Sequence, residues 1–172
     1  RRLSPDPHPS DLAALALTRD LVRETLRLYP PVPMIARESV RPITLRGRPV
    51  PRGALITVSP WHLHRHRRLW ADPDTFLPER WSAEGRHAPP AGAFLPFASG
   101  PRGCPGGGFA MMEVTLLLAR VLRAVRLAPV DERVPRPVAR LTLRARDGIW
   151  VTASPRATGT GTARADVVQA AR

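Results

Sequence analysis

The residues best suited to chemistry lie in the loop 97–106, which contains Cys104, the single cysteine of the 172 residues. Glycines and prolines surround the sulfur, which predicts a shaped loop rather than a helix or strand. The run 107–123 that follows is rich in helix formers, with apolar residues at 109, 112 and 116. Cys104 is therefore expected just before a helix, whose N-terminus favours a thiolate over a thiol. A thiolate surrounded by backbone N–H donors is a good metal ligand.

The neighbours of Cys104 distinguish it from the usual lone cysteine, which is a small buried hydrophobe or a chance surface residue. The pattern F-x-x-G-x-R-x-C-x-G is matched at every fixed position, by Phe97, Gly100, Arg102, Cys104 and Gly106. A match at each of these positions in so short a stretch is a specific signal. The loop resembles the haem-ligand loop of the cytochrome P450 family, the haem-thiolate monooxygenases.

The resemblance implies a role for each matched residue. Cys104 would be the axial thiolate ligand of a haem b iron, where its electron donation favours O–O cleavage. Arg102 would pair with a haem propionate, which suits the guanidinium fork. Phe97 would pack beside the sulfur and shield it from water. Gly100 would allow the tight turn, and Gly106 the close approach of the following helix.

A second group of charged residues is expected to position this loop. Glu24 and Arg27 share one face of a helix predicted at 12–29, where the ordinary interpretation is an exposed pair worth about 0.2–0.5 kcal/mol. The residues around them resemble the family's E-x-x-R helix. The segment 70–81 ends in Pro-Glu-Arg-Trp and resembles the family's irregular meander. The resemblance implies that Arg80 joins Glu24 and Arg27 in a buried cluster, in which two guanidinium groups share one carboxylate.

Other residues between these motifs have weaker interpretations. Arg37 lies ten residues after Arg27, where the family has a second propionate-binding arginine, although a solvated strand arginine is the alternative. Met34 and Ile35 lie where the family's chain passes over the substrate cavity.

Three histidines at alternate positions, 62, 64 and 66, could indicate a metal site. Their arginine neighbours repel a cation, and no nearby carboxylate or cysteine completes a set of ligands. The dipeptide His64-Arg65 instead resembles the family's short His-Arg helix, which implies a packing and hydrogen-bonding role.

The remaining elements follow from residue alternation and turn residues. Strands are predicted at 34–39, 54–59, 125–129, 139–144 and 149–153, with a hairpin at 43–50 turning near Gly47 and a turn at Asp147-Gly148. The resemblance implies an α+β fold class, the C-terminal part of the mainly α cytochrome P450 fold, ending in a β-hairpin. It also implies that residues 1–156 are the haem-binding portion of one domain whose upstream part is missing, while the small and polar residues 157–172 are expected to form a disordered tail.

The composition excludes some function classes. The 27 basic residues are all arginines and outnumber the 14 acidic residues, for a net charge of +13. Such a charge could indicate nucleic-acid binding, but the arginines are spread along the chain and no nucleic-acid-binding motif is present. No apolar run reaches a membrane span and no signal peptide is visible, while a single cysteine suits a reducing cytoplasm. The arginine-only bias indicates a GC-rich coding sequence and hence a bacterial source.

The function that the resemblance implies is reductive activation of O2 and insertion of one oxygen atom into a small organic substrate. Electrons would come from a ferredoxin- or flavodoxin-type donor, attracted by Arg65, Arg67, Arg68 and Arg120. The alternative is a truncated, non-catalytic remnant that does not bind haem stably. Because nothing in the chain matches the family's upstream oxygen-activating helix, the 172 residues alone are expected to be inactive.

Overall fold

The computed structural model describes residues 8–82, 89–130, 134–156 and 166–170. Its helices and small antiparallel sheets confirm the predicted α+β class. The α-helices are α1 (Ala16–Leu28), α2 (Pro60–Leu63) and α3 (Gly107–Ala124). The strands are β1 (Ile35–Glu38), β2 (Ile43–Leu45), β3 (Arg48–Val50), β4 (Leu55–Val58), β5 (Val125–Pro129), β6 (Pro137–Ala139), β7 (Leu143–Ala145), β8 (Ile149–Pro155) and β9 (Asp166–Ala170).

The helix predicted at 12–29 is divided into two parts. A 3₁₀ helix, Pro9–Leu15, comes first, and its N-terminus is capped by the side chains of His8 and Asp11. The α-helix α1 then continues to Leu28 and ends where two prolines follow Tyr29, because proline cannot continue a helix and disfavours helical geometry in the residue before it.

Two small sheets follow α1. Strands β1 and β4 pair antiparallel, with Arg37 opposite Ile56. Strands β2 and β3 form the predicted hairpin, in which both turn residues, Arg46 and Gly47, have positive φ values of 49° and 79°. A turn of this kind matches the right-handed twist of the flanking strands.

The predicted terminal hairpin, with strands 139–144 and 149–153 joined at Asp147-Gly148, is wrong. The chain reverses earlier, because the Arg140 N–H donates to the Thr142 carbonyl, and β6 therefore pairs with β7. Gly148 does turn the chain, with φ at 78°, but it leads out of that hairpin into another sheet. There β8 pairs with β5 over five residues and carries β9 on its other edge.

The segment 157–172, predicted to be a disordered tail, contains the strand β9. Its backbone pairs antiparallel with β8, with Ala170 opposite Ile149. The prediction is therefore wrong for residues 166–170, while 157–165 and 171–172 lie outside the described residues. Residues 83–88 also lie outside them.

The interior of the molecule is organised around polar side chains. Helix α1 packs against α3 and against a second 3₁₀ helix, Pro78–Trp81. Arg27, Arg80 and His64 are the largest side chains that are fully buried, whereas few large apolar residues are.

Within the described part of the chain, none of the helices combines the length and the apolarity needed to cross a membrane.

Candidate functional site

A buried charge cluster, defined as Glu24, Arg27 and Arg80, joins α1 to the segment before the cysteine loop. None of the three is more than 1% exposed. Arg27 donates from Nε and Nη2 to the two carboxylate oxygens of Glu24, at 2.9 and 2.8 Å. Arg80 donates from Nε to Glu24 Oε1 at 3.0 Å. The structure thus brings together the three residues that the sequence assigned to one cluster.

The Glu24 carboxylate is held ionised by its neighbours. The Leu77 N–H donates to Oε1 and the Trp81 indole Nε1 donates to Oε2, both at 2.9 Å. Burial alone would raise the pKa of this carboxyl, but the hydrogen bonds and the charge of Arg27 outweigh it and hold the pKa below its ordinary value. A buried carboxylate with this many donors has its hydrogen-bonding capacity satisfied.

The two arginines also satisfy main-chain carbonyls of the irregular segment that precedes Pro78–Trp81. Arg27 donates to the carbonyls of Pro73 and Thr75. Arg80 donates to the carbonyls of Ala71, at 2.9 Å, and Asp72, at 3.2 Å. Main-chain carbonyls removed from water need partners, and this part-buried segment has no regular secondary structure to supply them. The guanidinium groups supply the hydrogen-bond donors that neighbouring backbone would supply in a sheet or helix.

His64 lies beside the cluster with no exposed surface. Its Nδ1 is 3.1 Å from the Arg27 carbonyl, and its Nε2 is 2.8 Å from the Leu95 nitrogen. Because a backbone N–H can only donate, Nε2 is the acceptor and Nδ1 carries the proton. Burial, together with the positive charges of Arg27 and Arg65, lowers the pKa of His64 to about 4. The ring is therefore neutral at neutral pH.

Acidification from pH 6.5 to pH 4 is expected to destabilise the protein through His64 by on the order of 3 kcal/mol. The folded pKa of about 4 lies below the ordinary value of 6.5, so the unfolded chain takes up the proton first. The stabilisation is therefore complete above pH 6.5 and is lost as the pH falls through this window. Urea unfolding at a series of pH values measures it. His64→Gln should remove this pH dependence, whereas His66→Gln, at an exposed ring, should leave it unchanged.

The cysteine loop, residues 97–106, is closed by its own backbone. The Cys104 N–H donates to the Phe97 carbonyl at 2.8 Å, and the Gly103 N–H donates to the Gly100 carbonyl at 2.9 Å. Gly100 has a φ of 73° and Ala98 a φ of 59°, the left-handed region that few side chains tolerate. The loop leads directly into α3, which begins at Gly107 as predicted. Cys104 is exposed at the end of the loop.

The close approach between this loop and α3 occurs at Gly107 rather than at Gly106. A Cβ on Gly107 would lie 3.1 Å from Cγ of Phe97, whose ring covers this position. A Cβ on Gly106 would be 3.9 Å from the Cys104 sulfur, an ordinary contact. Gly107 was not among the predicted site residues, although the run of three glycines after Pro105 was a signal for it.

A Gly107→Ala substitution is expected to lower the free energy of unfolding by about 1–3 kcal/mol, because the added methyl displaces the Phe97 ring. Gly108→Ala is the matched control. A Cβ there meets nothing within 4 Å, so alanine should be neutral or stabilising by up to about 1 kcal/mol. Chemical denaturation of both variants measures the difference. Equal stabilities would show that the ring moves aside without cost.

The two arginines assigned to propionates are both exposed. Arg37 donates to the carbonyl of its neighbour Ala36 at 2.8 Å. Within the described part of the chain, neither Arg37 nor Arg102 takes part in an ion pair. Their guanidinium groups are therefore not committed to carboxylates of this chain.

These features fit the cofactor that the motif implies. The sulfur of Cys104 is open to solvent, and Gly106 beside it has no side chain to obstruct a flat ring. Uncommitted guanidinium groups suit propionates. The residues present are thus compatible with a haem held by one thiolate.

The structure gives the other candidate residues ordinary partners. His62 contacts the Ser59 hydroxyl and His66 accepts from the Arg68 N–H, so the three histidines have different neighbours. No group of three or more metal-ligating side chains occurs among the described residues.

Arg65, predicted to attract a redox partner, is instead committed to the interior. Its guanidinium carbon lies 3.6 Å from the centroid of the Trp61 ring, and Nη2 donates to the Leu28 carbonyl. The structure does not favour this residue for docking, because its guanidinium is stacked on a ring, bound to a carbonyl and 3.7 Å from the Asp74 carboxylate, with the side chain only 18% exposed. Arg67, Arg68 and Arg120 are exposed.

Comparison with known proteins identifies the family. The family model described as Cytochrome P450 matches residues 2–151. The chain belongs to the cytochrome P450 family. It is 38% identical over 146 residues to probable cytochrome P450 4aa1 of Drosophila melanogaster, covering 84% of this chain and 29% of that protein. It is 39% identical over 142 residues to cytochrome P450 4A10 of Mus musculus, covering 81% and 27%. The chain thus spans under a third of the length of these curated relatives.

Solved cytochrome P450 structures show the same fold. The retinoic acid bound cyanobacterial CYP120A1 has a TM-score of 0.81 at 28% identity, covering 90% of this chain and 36% of that one. The heme domain of cytochrome P450DA has a TM-score of 0.80 at 26% identity, covering 88% and 33%. The predicted fold is confirmed, and so is haem as the cofactor, since the family binds haem. The bacterial source stays a prediction, because the two relatives compared are animal proteins.

Proposed function

We propose that this chain is the haem-ligating C-terminal part of a cytochrome P450 monooxygenase and that Cys104 is the axial ligand. The observation that carries the proposal is the cysteine loop, which presents one exposed sulfur on a backbone closed from Phe97 to Cys104. A thiolate-ligated haem, when bound, supplies reductive activation of O2 and transfer of one oxygen atom to an organic substrate.

The other residues of the site would bind, orient and exclude water. Arg102 and Arg37 would hold the propionates by charge-assisted hydrogen bonds. The Phe97 ring, packed on Gly107, would keep water from the side of the sulfur that faces the protein. Met34, which is exposed and directly precedes β1, would contact the substrate. The charge cluster of Glu24, Arg27 and Arg80 would act structurally, by holding the segment before the loop.

The test of this proposal is a haem titration of the 172-residue chain, followed by reduction and addition of carbon monoxide. Thiolate ligation predicts a strongly red-shifted Soret band in the carbon monoxide complex. A chain that is folded by circular dichroism but binds no haem would favour the alternative, a non-catalytic remnant.

We also propose that the 172 residues alone bind haem weakly and lack monooxygenase activity. Large apolar side chains are exposed on α3, among them Phe109 and Leu117, at 63% and 54%. Such patches are usually covered in a stable protein, and the matched regions make up only 29% and 27% of the two relatives. Size exclusion and oxygen consumption test this. A monomer with stoichiometric haem and donor-dependent turnover would contradict it.

The electron donor is proposed to be a ferredoxin- or flavodoxin-type protein, and the location to be cytoplasmic. Arg67 and Arg68, exposed just after α2, and Arg120 on α3 are the remaining candidates to attract an acidic donor. Complementary charge at an interface raises the association rate more than the affinity. Cell fractionation tests the location.

Replacing Arg67 and Arg68 by glutamate is expected to slow reduction by an acidic ferredoxin at low salt. The salt dependence of the rate should flatten, because the substitutions remove the long-range attraction that salt otherwise screens beyond about 10 Å at 0.1 M. Stopped-flow reduction of the haem-loaded protein measures both effects. The control pair, Arg46→Glu with Arg48→Glu, makes the same change in net charge on the exposed β2–β3 hairpin. Equal slowing by both pairs would mean that only the net charge matters.

A further inference from the structure

His64 and Arg27 exchange hydrogen bonds in both directions. The Arg27 side chain donates from Nη1 to the His64 carbonyl at 2.8 Å. The His64 ring donates from Nδ1 to the Arg27 carbonyl at 3.1 Å. Each residue thus satisfies a main-chain acceptor of the other, and the backbone at His64 is fixed relative to α1.

The second ring nitrogen of His64 reaches the chain that enters the cysteine loop. Nε2 accepts from the Leu95 N–H at 2.8 Å. Leu95 lies two residues before Phe97, whose carbonyl accepts from the Cys104 N–H at 2.8 Å. Hydrogen bonds therefore run from Arg27 through His64 to Leu95, and two residues of backbone connect Leu95 to the loop that carries the sulfur.

Aromatic contacts hold the same stretch of chain. The ring of Phe94 lies 5.3 Å from the His64 ring and 4.6 Å from the Trp81 ring. Trp81 donates to Glu24 at the centre of the charge cluster. The entrance to the loop is thus packed against His64 on one side and against a residue bound to the cluster on the other.

We propose that His64 is a positioning residue, which fixes the entrance to the cysteine loop and through it the placement of Cys104. Imidazole suits this position because one rigid ring places a donor toward Arg27 and an acceptor toward Leu95. His64 acts through Leu95 and Phe97 rather than on the sulfur itself. The consequence for haem ligation rests on the proposed function, whereas the effect on the loop does not.

The test compares His64→Asn with His64→Gln in the 172-residue chain without haem. The asparagine amide can replace Nδ1, the donor to Arg27, but it is too short to replace Nε2. The longer glutamine amide reaches the Nε2 position and can accept from Leu95. Amide hydrogen exchange at Leu95 and Cys104 is expected to be about fivefold to tenfold faster in His64→Asn and close to wild type in His64→Gln. His66→Asn, at an exposed histidine two residues after His64, should change neither amide.

A second measurement uses the single cysteine of the chain. Alkylation of Cys104 by a small haloacetamide should change in rate with His64→Asn and return to the wild-type rate with His64→Gln. A folded His64→Asn variant with wild-type exchange at both amides and wild-type alkylation would overturn the proposal. Failure of both variants to fold would also overturn it, because His64 would then serve the whole fold rather than the loop.

The haem-loaded protein separates this inference from the proposed function. His64→Asn is expected to lower the fraction of the carbon monoxide complex that shows the thiolate spectrum, and His64→Gln should restore it. If the wild-type chain binds no haem, the proposed function fails, while the exchange and alkylation measurements still decide the role of His64.

Discussion

A Cys104→Ser variant is expected to lose the thiolate spectrum of the reduced carbon monoxide complex completely. Cys104 is the single cysteine of the chain, and a serine hydroxyl does not ionise at neutral pH, so no anionic sulfur ligand remains. Serine is close to cysteine in size, and the Cys104 N–H bond to the Phe97 carbonyl is made by the backbone. The loop should therefore keep its shape. The measurement is the difference spectrum of the haem-loaded protein.

Ser99→Ala is the control for this variant. Ser99 lies in the same loop, is exposed, and makes no capping hydrogen bond to the 3₁₀ turn Gly100–Arg102 that follows it. Its loss should leave the spectrum unchanged. A red-shifted Soret band that survived in Cys104→Ser would mean that haem is bound elsewhere, and the proposed function would have to be abandoned.

An Arg27→Ala variant is expected to lose about 3–5 kcal/mol of unfolding free energy, the cost of breaking a buried ion pair by removing one partner. The change leaves Glu24 buried with one guanidinium instead of two. It also removes the donor to the carbonyls of His64 and Thr75. Arg27→Lys should recover little, because an ammonium group lacks the planar fork that reaches both carboxylate oxygens. Urea unfolding followed by circular dichroism gives the free energies.

Arg23→Ala offers a comparison on the same helix. Arg23 pairs with Asp20 at 3.4 Å, but its side chain is 36% exposed. An ion pair in this setting is worth about 0–1 kcal/mol. If the two alanine variants were equally stable, the charge cluster would contribute no more than a surface pair, and its structural role would be refuted.

Much of the site could be predicted because its residues lie in short local patterns. The start of α3 at Gly107 follows from helix-forming residues after a run of glycine and proline. The contact between Glu24 and Arg27 follows from their spacing on one helix. Arg80 is distant in sequence, and only the resemblance to a family motif linked it to Glu24.

What could not be predicted depends on pairing between distant segments. The alternation of side chains in β8 indicates a strand but does not determine which strand it pairs with. In the structure β8 pairs with β5 rather than with β7, which is nearer in sequence. Arg65 and Arg67 are the same residue type two positions apart. Only the folded position of Trp61, under the guanidinium of Arg65, makes Arg65 half-buried, whereas Arg67 stays exposed.

The arginines of the charge cluster contact the irregular segment before Pro78–Trp81 through its main chain. Their partners there are the carbonyls of Ala71, Asp72, Pro73 and Thr75. A carbonyl is common to every amino acid, so these contacts do not depend on which side chains the segment carries. Substitutions at the exposed positions of this segment can therefore accumulate during evolution while the course of its backbone is retained. Divergence here says little about divergence of the site, whereas a change at Arg27 removes the donors to Pro73 and Thr75, and a change at Arg80 removes the donors to Ala71 and Asp72.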